Sequence, residues 1–349
     1  MITLGHFFEM MVANPFLALV IVLVFGCIFV NGATDAANAI AEAVGTRSIK
    51  VNKAIIMSVV CNFVGLVAMC LISTAVADTI LGMVDFGSNN HEALVALAAG
   101  CVGIVTWAVG AWALGIPTSE SHALIAGLTG AALAIHGDFA AVNWGEWSKV
   151  LIGLFFSTTL GFAAGWIIVK AINKLCVHVD RQRADEIFGH LQVVGSAFVA
   201  AMHGAQDGQK FMSIAMLAIA LSAGHGAAGA DVFPLWLQVL CAALMSIGTA
   251  IGGRKIIKKV GMEMVKLERY QGFAASFSAS ASLLLSTLTG LPVSTTHTKM
   301  TAMMGAGAAK NMRSVNWGVA KEMVAAWVFT FPGCGLIGFL FAKLFLMFF

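Results

Sequence analysis

The sequence predicts an all-α integral membrane protein built from two inverted-topology repeats, with discontinuous helices and helical hairpins. Three observations carry that expectation. The 349 residues are 59% hydrophobic and 11% charged, with a mean hydropathy of +0.90, whereas soluble domains carry roughly 25% charged residues. Two unusual polar segments each occur twice, in the same order. Lysine and arginine gather in clusters, and the connections between those clusters have none.

The apolar stretches come first. Pro15 to Val30, Ala54 to Val76, Leu94 to Ile116, Val150 to Val169 and Gly318 to Phe349 approach or exceed the roughly 20 residues that span a bilayer. They are continuous and lack the alternation of a membrane barrel strand, so helices are the expected spanning element. The opening MITLGHFFEM has no basic region, which argues against a cleaved signal peptide. The seven cysteines are scattered without ligand spacing. They read as reduced packing thiols rather than a disulfide framework or a zinc site.

The first repeated segment is GATDAANAIAEAVGTR (Gly32 to Arg47), matched by HGAQDGQKFMSIAML (His203 to Leu217). The second is IPTSESHALIAGLTGAALA from Ile116, matched by LPVSTTHTKMTAMMGAGAA from Leu291. Asp35 precedes Pro117 by 82 positions and Asp207 precedes Pro292 by 85, and Asn-Trp recurs at Asn143 and Asn316. The chain therefore reads as two copies of one unit. They would be residues 1–173 and 191–349, joined by a polar linker at 174–190.

Basic residues cluster at Arg47 to Lys53, Lys170 to Arg183, Arg254 to Arg269 and Lys310 to Lys321, while 1–14, 78–92, 137–147 and 223–233 hold none. The positive-inside rule sets the clusters on the cytoplasmic side. The first copy then begins outside, crosses to Arg47, and returns through 54–77 to an acidic loop (Asp78, Asp85, Glu92). Segment 93–136 makes an even number of crossings, or a hairpin broken at Pro117, and 148–169 leads back inside. The second copy crosses through a broken stretch at Asp207, returns through 233–251, makes its own pair around Pro292, and leaves through 320–349. Each copy crosses an odd number of times, so the copies are upside down relative to each other. Such inverted repeats with broken helices are the architecture of secondary transporters, with the substrate held near the midplane.

In PTSESH and PVSTTH, hydroxyl residues stand where a helix N-cap belongs. A helix start offers N–H groups and a partial positive charge that suit an oxyanion. Ser119, Ser121, Ser294, Thr295 and Thr296 add hydroxyl donors. An ordinary capped turn is the bland alternative. Asp35 and Asp207 sit among amides, Asn38 and Gln209, in apolar sequence where a lone carboxylate costs about 2.5–3.5 kcal/mol. Hard oxygen ligands of this kind suit sodium rather than a transition metal. The alternative for Asp207 is local pairing with Lys210, three positions on, whereas Asp35 has no such neighbour. His122, His297 and His203 recur at motif positions and read either as packing residues or as an anion contact or proton relay. Lys299 either faces the site or snorkels to the rim.

At these residues the sequence resembles the inorganic phosphate transporter (PiT) family of cation-coupled permeases. GATDAANA and HGAQDGQK look like the family's duplicated acid-amide signature, and PTSESH and PVSTTH like its duplicated hydroxyl signature. The resemblance implies a transporter, often a homodimer, in the cell inner (plasma) membrane, importing phosphate with sodium or protons. It implies cation binding at Asp35, Asn38, Asp207 and Gln209. It implies phosphate binding at Thr118, Ser119, Ser121, His122, Ser294, Thr295, Thr296 and His297. The family's usual asparagine before each acid is replaced by Thr34 and Gln206, and many members carry a glutamate on the helix after the first motif, where the corresponding region here has Asn62. Both termini are expected on the non-cytoplasmic side. No nucleic-acid partner, catalytic residue or enzymatic cofactor is expected. A carrier of another tetrahedral oxyanion such as sulfate, a passive anion channel, and a hydrolase using Ser119 or Ser121 with His122 are the rival readings.

Overall fold

The computed structural model describes residues 2–87, 89–114, 118–224, 233–252, 257 and 264–348. Pro117, most of the connection 223–233, and Arg254, Lys255, Lys258 and Lys259 lie outside the described residues. The described residues are mainly helical: α1 (Leu4–Ala13), α2 (Pro15–Thr34), a 3-10 turn (Ala36–Ala39), α3 (Ala41–Gly45), α4 (Val51–Ile72), α5 (Ala75–Leu81), α6 (Asn90–Leu114), α7 (Glu120–His136), α8 (Trp144–Leu175), α9 (Arg181–Ser222), α10 (Leu235–Gly252), α11 (Arg269–Leu288), α12 (Thr295–Lys310) and α13 (Trp317–Phe345). Seven of these, α2, α4, α6, α8, α9, α10 and α13, are long and apolar enough to cross a membrane. This is a multi-pass membrane protein.

The repeated sequence folds into repeated devices. Asn143 caps α8 by accepting from the N–H groups of Gly145 and Glu146, and Asn316 caps α13 by accepting from Gly318 and Val319. The recurrent Asn-Trp is therefore a helix start. Just before each cap the chain bridges an earlier loop, Val84 to Val142 in one half and Val265 to Val315 in the other. The packing is reciprocal as well. Helix α2 lies on α10 as α9 lies on α4, and α7 lies on α13 as α12 lies on α8.

Glycines set the closeness of the first exchange. A Cβ on Gly204 of α9 would run into the backbone of Asn62, and one on Gly248 of α10 into the backbone of Phe29. Backbones touch at both crossings, as small residues permit in membrane helices.

Helices α7 and α12 are too short to cross, about 24–26 Å at 1.5 Å per residue. They form hairpins with α6 and α11, and almost every side chain on them is buried. The turn from α11 into α12 passes through Gly290 at φ 69°, a conformation that glycine adopts without a Cβ penalty. These hairpin arms occupy the middle of the molecule.

One expectation needs correcting. Only the first acid segment breaks its helix: α2 ends at Thr34, a 3-10 turn carries Asn38, and α3 follows. The second runs unbroken through Asp207 inside α9, which is 42 residues long. There the side chains of Lys210 and Ser121 supply the polar partners, so the backbone has no need to open. The polar stretch 174–190 is also largely helical, since α8 ends at Leu175 and α9 begins at Arg181, capped by Asp180.

Candidate functional site

The two acids meet. One ligand atom each from Asp35, Asp207 and His203 falls within 4.8 Å of the others, and all three side chains are buried. Each acid is held by the hairpin of the opposite half. Thr296, on α12, donates to Asp35 Oδ1 at 2.5 Å, and Ser121, at the matching place on α7, donates to Asp207 Oδ1 at 3.1 Å. Thr295 donates to Asp207 Oδ2 at 3.0 Å. The amide of Asn38 donates to Asp35 Oδ1 and to Thr296 Oγ1, both at 3.0 Å.

Lys210 sits in the same centre. Its ammonium donates to Asp207 Oδ1 at 2.7 Å, to Ser121 Oγ at 2.8 Å and to the carbonyl of Val293 at 2.6 Å. The local pairing weighed for Asp207 is thus realised. His203 Nε2 lies 3.3 Å from Asp207 Oδ2, and its Nδ1 is 2.8 Å from Asn62 Oδ1. Asn62 holds that histidine and reaches Thr249.

The hairpin starts are capped as their sequence predicts. Ser119 Oγ accepts from the backbone N–H of His122 at 3.3 Å, and Ser294 Oγ from that of His297 at 3.2 Å. Each hydroxyl keeps its own proton to donate elsewhere. The two histidine rings then meet edge to face, 4.4 Å between centroids. Behind them stand aromatic walls, Phe331 on His122 and Trp327 on His297. His122 Nδ1 and both ring nitrogens of His297 are buried without a hydrogen-bond partner. Polar groups are seldom left so, and an oxyanion or water would satisfy them.

Three residues predicted for the site lie elsewhere. Gln209 donates to the carbonyl of Ser73 at 2.7 Å, away from the Asp207 contacts. Thr118 lines a cavity of about 580 Å³ between α6 and α13, with Trp107 and Phe329. Lys299 neither snorkels nor joins the two aspartates: it pairs with buried Glu42 of α3, whose carboxylate also accepts from Ser196 and Ser276.

Three other buried residues do belong to the picture. Glu120 accepts from Thr34 beside Asp35, Asn31 donates to Asp207 Oδ2 at 3.5 Å, and Glu42 anchors the Lys299 cluster. Their signal in the sequence was plain chemistry, since an acid or amide inside a membrane segment is a functional candidate by default. A cavity of about 940 Å³, lined by Thr46, Asn173, Arg181, Arg269 and Tyr270, shares no residue with the acid centre.

A profile of the phosphate transporter family matches residues 31–338. The chain belongs to the phosphate transporter family. Among relatives in that family, a probable low-affinity inorganic phosphate transporter of Bacillus subtilis is 36% identical, covering 92% of this chain and 94% of its own. The protein of the same name from Rhizobium meliloti is 36% identical, covering 88% and 90%. A putative phosphate permease of Pyrococcus furiosus is 26% identical over 97% of this chain and 98% of its own. In fold, the chain superposes on the solved structure of a protein named the sodium-dependent phosphate transporter. The TM-score is 0.89 at 22% identity, with 96% of this chain and all of that one covered.

Proposed function

We propose that this member of the family imports inorganic phosphate together with a coupling cation, sodium or a proton, by alternating access. One observation carries the reading: the two capped hairpin starts converge, with His122 against His297, and their hydroxyls reach the acids of the opposite half. Phosphate would lie against Ser119, Ser121, His122, Ser294, Thr295, Thr296 and His297, with Thr118 at the margin. The cation would lie at Asp35, Asn38 and Asp207. The names of the relatives support phosphate as the substrate, and the sodium dependence in the name of the fold neighbour favours cation coupling.

Charge explains why the two must travel together. Asp35, Asp207 and Glu120 face one ammonium, Lys210, in a buried centre. An unpaired ion in such a place costs several kcal/mol, so a phosphate cannot join uncompensated carboxylates. Cations that neutralise the acids remove the repulsion, and binding of one solute then favours the other.

The reciprocal packing supports two inverted copies, residues 1–173 and 191–349, that rock against each other around this centre. An inner-membrane location with both termini outside follows the basic clusters, and a homodimer follows the resemblance. A hydrolase is not favoured. Ser119 meets the backbone of His122 rather than its ring, and the Ser121 hydroxyl is engaged by Asp207 and Lys210.

The test is labelled phosphate uptake into proteoliposomes under imposed sodium or proton gradients, with sulfate as competitor. Concentrative uptake driven by one gradient is expected, and Asp35→Asn abolishes the cation dependence. Downhill flux alone would make the protein a channel, and equal competition by sulfate would change the substrate.

A further inference from the structure

The two acid segments align so that Asp35 matches Asp207 and Asn38 matches Lys210, each pair three residues apart. The structure shows what that exchange does. Around Lys210 Nζ stand three oxygens, Asp207 Oδ1, Ser121 Oγ and the Val293 carbonyl, at 2.6–2.8 Å. A carboxylate, a hydroxyl and a backbone carbonyl are the ligand set that hard cations take from proteins. Lys210 is fully buried, and its ammonium fills the place that such a cation would occupy. On the other side, Asp35 faces Thr296 and Asn38 with no ammonium bonded to it among the described residues. There the carbonyl oxygen of Asn38 is buried without a partner, so an oxygen ligand remains available.

We propose that Lys210 is a built-in cation. It permanently occupies the Asp207 side of the centre, so that only the Asp35 side, with Asn38 and Thr296, takes a cation from solution. The inference rests on the cation-coupled reading above and sharpens it. The lysine sets the stoichiometry, holding the number of exchangeable cations one below what two equivalent sides would bind.

The alternative is that Lys210 is merely a pillar of α9, and the two ideas part when the lysine is shortened. Lys210→Asn places at this position the amide found at Asn38 and empties the oxygen cage. Saturation binding of radioactive sodium to the purified protein should rise by one equivalent in this variant. It should return to the wild-type number in Asp207→Asn/Lys210→Asn, which lacks the acid as well. No gain in sodium for Lys210→Asn, or loss of all binding, would overturn the proposal. Binding is read without transport, so an inactive variant still answers the question. If sodium equivalents change as stated while the wild type fails to concentrate phosphate, the built-in cation stands and the transport reading falls.

Discussion

Replacing Lys299 by methionine tests how strongly the molecule depends on its second buried ion pair. The Lys299 ammonium reaches Glu42 and, at 3.1 Å, Ser276 Oγ. Both charged side chains are 1% exposed. Lys299→Met keeps the length of the side chain and removes the charge. The Glu42 carboxylate is left with the Ser196 and Ser276 hydroxyls alone, and its Oε2 has no partner even in the intact protein. Breaking a buried pair in this way costs about 3–5 kcal/mol. Glu42→Gln strands the ammonium and should cost a similar amount. The double variant Glu42→Gln/Lys299→Met has no uncompensated charge, so it should lie within about 1–2 kcal/mol of wild type, because exchanging a whole buried pair is often close to neutral. Equilibrium unfolding in mixed micelles, followed by tryptophan fluorescence, measures all four corners of the cycle. Single variants that each lose under about 0.5 kcal/mol, the range of ordinary surface changes, would mean that water reaches the pair and that the buried description is wrong.

Further outcomes follow from the same contacts. Ser119→Ala and Ser294→Ala each remove one cap bond and should cost about 1 kcal/mol while raising the KM for phosphate; an unchanged KM in both would separate the caps from the substrate. Gly204→Ala should cost about 1–3 kcal/mol by overpacking, because its Cβ meets the backbone of Asn62, and a melting temperature equal to wild type would contradict that close crossing. Glu120→Gln keeps an acceptor for Thr34 and removes one negative charge. Phosphate binding should then need less cation, and an unaltered cation dependence would place Glu120 outside the electrostatics of the centre.

Much of this was legible in the sequence, for identifiable reasons. Spanning helices announce themselves by continuous apolar runs, and the caps Ser119, Ser294, Asn143 and Asn316 by residue type just before a helix. The pairing of Asp35 with Thr296, 261 positions apart, was legible only as a matching of motifs, since spacing along a chain gives no partner across it. The continuity of α9 was hidden because both acid segments carry glycine and polar residues, and only three-dimensional packing shows that Lys210 spares the second from opening. Glu42 and Lys299 lie outside the shared signature, and neither has a charged counterpart in the other half. They were therefore easy to pass over and to misplace, respectively.

That lack of counterparts bears on mechanism. The two halves share capped hairpins and touching glycines, and they differ at the acid segment, broken in one and continuous in the other, and in charge. Asn38 stands against Lys210, Glu120 against Thr295, Glu42 against Ile214 and Lys299 against Leu124. If alternating access exchanges the conformations of two similar halves, identical halves would make the two end states equal in energy. In such an exchange, making or breaking the Glu42–Lys299 pair in one half would be matched in the other only by Ile214 and Leu124. A pair that broke in one state only would favour the other, and a ligand would have to supply the difference through its unequal affinity for the two states. Thr296, which donates to Asp35, sits on the same helix as Lys299, one helical turn away.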